Sequence, residues 1–208
     1  MTKARIVIFS KLPQIPGAFD NQYIRGHIDS IKAPVYKAMS AYSYYLLGQM
    51  IDEVFGDDIS KLKISENDNG KPYFERSNIY FNISHTDDAV ACIVSDNIVG
   101  IDIEKIKNYN ERLLKYSMNE EEIINNEEDF FKFWTLKEAY VKATGTGLSH
   151  GFKKIKFINT DSLHSEIKCV DNNKPAPYFF YTNNSHTHIF SICSRDRINN
   201  DDITILYK

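Results

Sequence analysis

The sequence is poor in cysteine, in long apolar runs and in excess positive charge. Its three cysteines, Cys92, Cys169 and Cys193, are widely spaced and form no CxxC pair. This argues against a disulfide framework or a zinc cluster and fits a reducing compartment. No apolar run approaches the roughly 18 residues of a membrane-spanning helix, and the N-terminal run is too short for a signal peptide. Because the formal net charge of −3 offers no basic surface, we expect a cytoplasmic protein without membrane or nucleic-acid partners.

Apolar and aromatic residues, in contrast, are plentiful. The hydrophobic fraction is 42%, and the chain contains 13 phenylalanines and 13 tyrosines, which favours a folded protein over a disordered one. A length of 208 residues is enough for one large domain or two small ones, each with its own core.

The first half of the chain predicts a strand, a helix and then a small antiparallel sheet. The segment RIVIFS reads as a buried strand, and residues 11–36 read as irregular. Apolar residues at helical spacing predict a helix from about Tyr36 to Gly56. The segments IYFNIS, AVACIVS and IVGIDIE follow as strands, the last two joined by a hairpin turn at Asp96 and Asn97.

The second half repeats this order. Residues 110–127 read as an acidic helix, and FFKFWTLKEAYVKA reads as a second helix closed by Gly145. The short segments FKKIKFI, HSEIKCV, PYFFYT, HIFSIC and DITILY follow as strands. The acidic run at 119–131 is interpreted as a solvated helix face rather than a metal site. Two halves that each mix helix with antiparallel strands predict an α+β fold with two similar subdomains, 1–104 and 105–208.

The stretch GIDIEK holds two carboxylates separated by one isoleucine. Alternate side chains of a strand share a face, so Asp102 and Glu104 would lie roughly 6.6 Å apart along it, with Ile101 and Ile103 toward the core. One interpretation is a half-exposed strand edge with two solvated acids. The other is a site for a hard cation such as Mg²⁺, which commonly takes one or two carboxylates together with phosphate oxygens. The spacing alone leaves both open.

A second candidate lies on the helix of the segment FWTLKEAYVKATGTGL. Glu138 and Lys142 are four residues apart, which is typical of an ordinary helix ion pair. The functional alternative makes Glu138 a third oxygen ligand and Lys142 a phosphate partner. Trp134, one turn earlier, is interpreted as a packing residue.

Two further candidates precede these residues in the chain. His85 ends a strand in NISH and is either a neutral structural histidine or a cation beside a diphosphate. Lys71 follows a glycine in the loop segment NGKP, where an exposed lysine has little meaning alone. His186 and His188 also share a strand face, but no third ligand is near them in sequence, so both are interpreted as structural.

Taken in order, GKP, NISH, GIDIE and FWTLKEAYVKATGTGL resemble the motifs of the 4′-phosphopantetheinyl transferase superfamily. They span residues 70–148. The length and the two-half pattern resemble the larger, Sfp-like group rather than the short one-domain carrier-protein synthases. The resemblance implies a monomer with an active site in a cleft between two halves related by a pseudo-twofold axis.

The activity implied by the resemblance is transfer of 4′-phosphopantetheine from coenzyme A to a serine of an apo acyl or peptidyl carrier protein, with release of 3′,5′-ADP. Such carriers serve nonribosomal peptide, polyketide or fatty acid biosynthesis. Asp102, Glu104 and Glu138 would hold Mg²⁺, for which Mn²⁺ can substitute. Glu138 would be the base, either directly or through a metal-bound water. Lys142 would bind the α-phosphate and protonate the leaving oxygen.

The coenzyme A contacts implied by the resemblance come from the first half. Ser84 and His85 would lie near the phosphates, with His85 on the diphosphate or the 3′-phosphate. Lys71 and Lys32 would contact the nucleotide, Lys71 at the 3′-phosphate or nearby groups.

One position departs from the family pattern. Members commonly carry an arginine two residues before the Leu-Leu pair of the first helix, and this chain has Tyr44 there. Either another basic residue such as Lys37 takes over its role, or the 3′-phosphate has fewer contacts. We therefore expect weaker discrimination between coenzyme A and its 3′-dephospho form.

Two other functions use the same residues. A Mg²⁺-dependent phosphodiesterase or nuclease would use the three acids, although the near-neutral charge disfavours a nuclease. A non-catalytic module would bind coenzyme A without transfer, although the presence of all three acids and both motif lysines disfavours lost activity.

Overall fold

The computed structural model describes residues 1–15, 17–158, 160 and 167–208. The helices are α1 Gln22–Ser30, α2 Pro34–Phe55, α3 Glu111–Ser117 and α4 Glu127–Thr144. The strands are β1 Thr2–Ile8, β2 Ile64–Glu66, β3 Pro72–Phe74, β4 Tyr80–His85, β5 Ala89–Ser95, β6 Val99–Lys105, β7 Ile155–Ile158, β8 Lys168–Asp171, β9 Lys174–Pro175, β10 Phe179–Asn184, β11 His188–Ser194 and β12 Ile203–Tyr207. Short 3₁₀ turns cover Ile59–Lys61, Leu148–His150, Phe152–Lys154 and Asn200–Asp202.

Two sheets form the centre of the molecule. The first has the order β12-β1-β5-β4, and the second has the order β10-β11-β6. All neighbours are antiparallel except β1 and β12, which run parallel. Smaller sheets join β2 to β3 and β7 to β8 and β9. The mixture of helices and mainly antiparallel strands confirms the predicted α+β class.

The two sheets pack face to face between the long helices. Alternate residues of β1, β5, β6 and β11, among them Ile6, Ile93, Ile101 and Phe190, form one buried apolar cluster between the sheets. The opposite face of the first sheet packs on α2, and that of the second sheet packs on α4. The order of layers is therefore helix, sheet, sheet, helix.

Both long helices begin and end at residues suited to these positions. In α2, Pro34 stands at the first helical position, and Gly56 ends the helix with φ 69°. In α4, the Asn126 side chain accepts a hydrogen bond from the Asp129 amide at 2.9 Å, and Gly145 ends the helix with φ 69°. The predicted end of each helix is confirmed.

Several predicted elements were wrong. Asp96 and Asn97 do not form a hairpin turn, because β5 and β6 belong to different sheets and the turn leads from one to the other. The segment 11–36, expected to be irregular, contains α1. The predicted helix 110–127 is limited to α3, because Glu122 turns back to accept a hydrogen bond from the Asn119 amide at 2.8 Å. The N-terminal part of the predicted strand HSEIKCV lies outside the described residues.

The division of the chain into two subdomains, 1–104 and 105–208, stays a prediction. Strand β6, most of which falls in the first half of that division, pairs with β11 of the second sheet. The last strand, β12, crosses back to pair with β1. No helix among the described residues is long and apolar enough to cross a membrane.

Candidate active site

Strand β6 presents two carboxylates to α4. Ile101 and Ile103 lie in the cluster between the sheets, so the alternation of the strand directs Asp102 and Glu104 to the opposite face. Asp102 is only 3% exposed. The half-buried Glu138 approaches the same place from α4, close enough for Asp102 and Glu104 to affect its pKa. These acids are therefore not solvated residues of a strand edge.

Burial and mutual repulsion raise the pKa of both glutamates. Loss of hydration is the largest cause for Glu104, followed by the nearby Asp102 charge, and together they raise its pKa to about 7 although the Trp134 indole donates a hydrogen bond. The same two causes raise the pKa of Glu138 to about 7. Carboxyl groups whose pKa is raised toward neutral pH by burial and nearby charge are typical of functional sites.

A lysine and a serine offset part of this charge. Lys142 Nζ lies 2.6 Å from Asp102 Oδ1 and 2.9 Å from Ser84 Oγ, and the Ser84 hydroxyl donates to the same Asp102 oxygen at 2.8 Å. The other oxygen, Asp102 Oδ2, is buried without a hydrogen-bond partner. In the described chain Lys142 therefore pairs with Asp102, and the ordinary ion pair with Glu138 is not formed.

His85 lies at the end of β4, next to Ser84. Burial lowers the pKa of its imidazole, and the charges of Lys142 and His27 add to this. Its Nδ1 is buried without a hydrogen-bond partner, and its ring lies 6.3 Å from that of Tyr36 between centroids. Burial therefore favours the neutral imidazole of His85, and an anion bound beside it would favour the protonated form.

A cavity of about 250 Å³ opens beside these groups. It is lined by Asn69, Gly70, Lys71, Pro72, Asn82, Ile83, Glu138, Val141, Lys142, Gly145 and Gly147. A neighbouring cavity of about 330 Å³ shares Lys71, Pro72 and Gly145 with it. The cleft therefore extends from Glu138 and Lys142 along the loop that carries the GKP motif.

Comparison with known proteins agrees with this arrangement. A sequence model of the 4′-phosphopantetheinyl transferase superfamily matches residues 98–193. The chain is 30% identical over 144 residues to the 4′-phosphopantetheinyl transferase gsp of Aneurinibacillus migulanus, covering 65% of this chain and 59% of that protein. It is 26% identical over 170 residues to psf-1 of Bacillus pumilus, covering 77% and 72%. It is also 30% identical over 113 residues to Sfp of Bacillus subtilis strain 168, covering half of each.

These matches support placing the chain in the 4′-phosphopantetheinyl transferase superfamily, near its Sfp-like members. The matched region nevertheless spans less than two thirds of the length of gsp. The matched residues 98–193 include the three acids and the lysine just described, Asp102, Glu104, Glu138 and Lys142.

The acids of this site fit a hard divalent cation. Carboxylate oxygens are the ligands that Mg²⁺ prefers, and the buried Asp102 Oδ2 is free to accept one. Within the described residues, no three His, Cys, Asp or Glu side chains are already gathered around one point, and the Lys142 ammonium lies at Asp102 instead. Binding a cation would therefore require Lys142 or the glutamates to shift.

The two lysines predicted to contact the nucleotide are placed differently. Lys71 Nζ donates to the Ala143 carbonyl at 3.0 Å, and burial lowers the pKa of the ammonium to about 8. Lys71 lines the cavity, but its ammonium donates to the end of α4. Lys32 is exposed in the connection between α1 and α2. The contact of each lysine with a nucleotide stays a prediction.

The position that departs from the family pattern is filled by a buried ring. Tyr44 is 2% exposed, and burial raises its pKa to about 12. Its ring lies edge-on to His27, with centroids 5.6 Å apart. Lys37, the suggested substitute, lies 3.3 Å from Asp29. Tyr44 thus contributes no charge, while Lys37 already has an acidic partner.

One buried ion pair in the transferase motif was missed. The acidic run was interpreted as solvated, yet Glu122 in that run pairs with Lys137 at 2.6 Å, with side chains 2% and 0% exposed. Lys137 Nζ also donates to the Ser117 carbonyl at 2.8 Å. The only signal for this ion pair in the sequence is the position of Lys137, directly before Glu138 in the motif. His188, interpreted as structural, is buried and lies 2.8 Å from Asp88.

Proposed function

We propose that the chain transfers 4′-phosphopantetheine from coenzyme A to a serine of an apo acyl or peptidyl carrier protein and releases 3′,5′-ADP. The observation that carries the proposal is the group formed by Asp102, Glu104, Glu138 and Lys142 beside the cavity. Two proton-accepting acids and one cation on facing elements suit transfer of a phosphoryl group, in which positioning and charge neutralisation dominate catalysis.

The three acids would hold Mg²⁺, and Mn²⁺ would substitute for it. When bound, the cation would supply positive charge for the diphosphate oxygens of coenzyme A. The unpartnered Oδ2 of Asp102 and the raised pKa values of Glu104 and Glu138 support this assignment, since a nearby cation would relieve their repulsion.

Glu138 would act as the general base. Its carboxyl lines the cavity beside Lys142, where it can accept a proton from a hydroxyl bound there, directly or through a water. It would take the proton of the carrier serine as the serine oxygen bonds to the β-phosphorus. The bond between that phosphorus and the bridging oxygen breaks, and the leaving group is 3′,5′-ADP.

Lys142 would serve the leaving group. Its ammonium is held between Asp102 and Ser84, and a diphosphate in the cavity would offer it a stronger anionic partner. Lys142 would bind the α-phosphate and donate a proton to the departing oxygen. Ser84 and His85 would contact the phosphates, and Lys32 and Lys71 the nucleotide.

The decisive experiment adds coenzyme A and Mg²⁺ to the protein with a panel of apo acyl and peptidyl carriers, and weighs the carriers by mass spectrometry. We expect one phosphopantetheinyl group on a carrier and none after chelation or on a carrier whose serine is replaced by alanine. Cleavage of coenzyme A without any adduct would instead indicate a phosphodiesterase, and binding without either reaction a binding module.

The role of Glu138 has its own test. We expect Glu138→Gln to reduce the transfer rate at least a hundred-fold, because the general base is lost, while coenzyme A still binds in calorimetry. Glu120→Gln, which changes an exposed acid, is the control and should retain activity. Full activity of Glu138→Gln would remove Glu138 from the mechanism.

A further inference from the structure

The end of α4 is covered by side chains from the turn between β2 and β3. The last carbonyls of a helix have no partner within the helix and must find one elsewhere. Lys71 Nζ donates to the Ala143 carbonyl at 3.0 Å. The side-chain amides of Asn67 and Asn69 both donate to the Gly145 carbonyl, at 3.2 and 2.8 Å. Three donors from one turn therefore satisfy two carbonyls at the end of the helix.

The turn is braced so that these donors point in one direction. The Asn67 side-chain oxygen accepts from the amides of Asn69 and Lys71, at 3.0 and 2.9 Å. The Asn67 amide donates to the Lys71 carbonyl at 3.0 Å, and the Gly70 amide donates to the Asn67 carbonyl at 2.9 Å. In such a closed turn the side chains have little conformational freedom. They therefore lose little entropy when they donate hydrogen bonds to the end of α4.

Two glycines let the turn approach the helix closely. A Cβ added at Gly145 would lie 2.8 Å from the Asn67 side-chain nitrogen, and one added at Gly147 would lie 3.3 Å from Asn69 Cβ. Both glycines have φ near +70°, a conformation that side chains disfavour. The sequence GTG thus serves the contact as well as the end of the helix.

The charge of Lys71 also suits its position. The C-terminus of a helix carries a partial negative charge that favours cations. The half-buried Lys71 lies there with its ammonium on a backbone carbonyl, and burial lowers its pKa.

We propose that Asn67, Asn69 and Lys71 form a cap on α4 that positions Glu138 and Lys142. Lys142 is adjacent to Ala143, whose carbonyl Lys71 holds, and its ammonium must reach Asp102 on β6 at 2.6 Å. Fixing the last turn of α4 therefore fixes the reach of Lys142. Asn69 and Lys71 line the same cavity as both residues. The part of this inference that concerns catalysis rests on the proposed transfer, whereas the cap itself does not.

The cap is tested on the protein without ligand by amide hydrogen exchange. We expect Lys71→Met and the double variant Asn67→Ala/Asn69→Ala to speed exchange of the amides of residues 142–145 about ten-fold, because the last turn opens more often. Lys61→Met, at a lysine 81% exposed in its side chain, and Asp68→Ala, at an exposed residue of the same turn, are the matched controls and should leave these rates unchanged. Unchanged exchange in both cap variants would overturn the proposal.

Kinetics then separate positioning from substrate contact. The cap predicts that Lys71→Met lowers kcat more than it raises KM for coenzyme A, and that Lys71→Arg, which keeps a cationic donor, restores part of both kcat and exchange protection. A rise in KM alone, with normal exchange, would show that Lys71 acts only as a substrate contact and would overturn its role in the cap. If no carrier is modified at all, the transferase proposal fails while the exchange result still decides the cap.

Discussion

At the scale of single residues, the unusual feature is the free-energy cost of burying several acids together between β6 and α4. Asp102 is compensated by Lys142 and Ser84, but Glu104 and Glu138 have no cation of their own within the described contacts and respond by binding protons more tightly. Such unrelieved repulsion is tolerated where a site is built for a charged ligand, which is a trade of stability for function.

This cost predicts a pH dependence of stability. A carboxyl whose pKa rises from 4.5 to about 7 on folding contributes stability below pH 4.5 that is lost as the pH rises through 7. In buffer with chelator, Glu104→Gln should therefore be more stable than the unchanged protein above pH 7. The gain has an upper bound of about 3 kcal/mol, at about 1.4 kcal/mol per pKa unit, and should disappear near pH 4.5.

Urea unfolding at a series of pH values measures this difference in the free energy of unfolding. Glu120→Gln serves as the control, because that acid is exposed and should show no such trend. A Glu104→Gln curve parallel to that of the unchanged protein at every pH would contradict the burial argument.

At the scale of elements, α4 is fixed on more than one side. Its C-terminal end meets the β2–β3 turn, its apolar face packs on the second sheet, and Lys137 fastens the segment that follows α3. The Glu122 oxygen that does not face Lys137 is buried without a hydrogen-bond partner. The ion pair is therefore costly to bury, and breaking it on one side leaves an uncompensated charge.

We expect Lys137→Met to destabilise the protein by about 3–5 kcal/mol, because Glu122 would remain buried without its cation. The double variant Lys137→Met/Glu122→Met should recover most of this loss, since it removes both charges. Chemical denaturation of the single and double variants measures the coupling. Lys156→Met breaks the more exposed ion pair with Glu121 and should cost at most about 1 kcal/mol.

If Lys137→Met were as stable as the Lys156→Met control, the pair would not hold the segment 118–126 against α4. Equal losses of stability in the single and double variants would also contradict this role of the pair. They would show that the packing of α4, and not charge compensation, determines the free energy of unfolding.

At the scale of the whole molecule, the two sheets are joined near the site by a second polar group. Asp88, in the turn after β4, accepts hydrogen bonds from Lys105 of β6 and His188 of β11, at 2.5 and 2.8 Å. Burial would raise the pKa of Asp88, but these two hydrogen bonds, with a third from the Thr86 hydroxyl and the electrostatic effect of His188, outweigh it and lower the pKa to about 2. The turn that follows His85 is thereby tied to the opposite sheet.

A lowered pKa of Asp88 contributes stability above about pH 4 that is lost as the pH falls toward 2. We expect Asp88→Asn to cost about 1 kcal/mol at pH 7, a value reduced for partial solvent exposure, and less at pH 3. Thermal unfolding at both pH values measures this. Asp87→Asn, at the exposed neighbouring acid, should have no effect at either pH, and an equal loss from both variants would contradict the assignment.

The sequence alone determined the elements and residues whose signals are local. The alternation of GIDIEK placed Asp102 and Glu104 on one face, the apolar spacing placed α2 and α4, and Gly56 and Gly145 ended them. The motifs identified the family and nominated Glu138, Lys142, Ser84 and His85. These features are readable because a strand or helix period and a glycine at positive φ act over a few neighbouring residues.

Tertiary structure alone decided which residues meet. It placed β5 and β6 in different sheets, returned β12 to β1, paired Lys142 with Asp102, and directed Lys71 to the end of α4. It also buried Glu122, whose neighbours in the sequence read as a solvated face. Such pairings join residues up to 199 positions apart. Their energy depends on burial and on the partner across the contact, and the local sequence specifies neither.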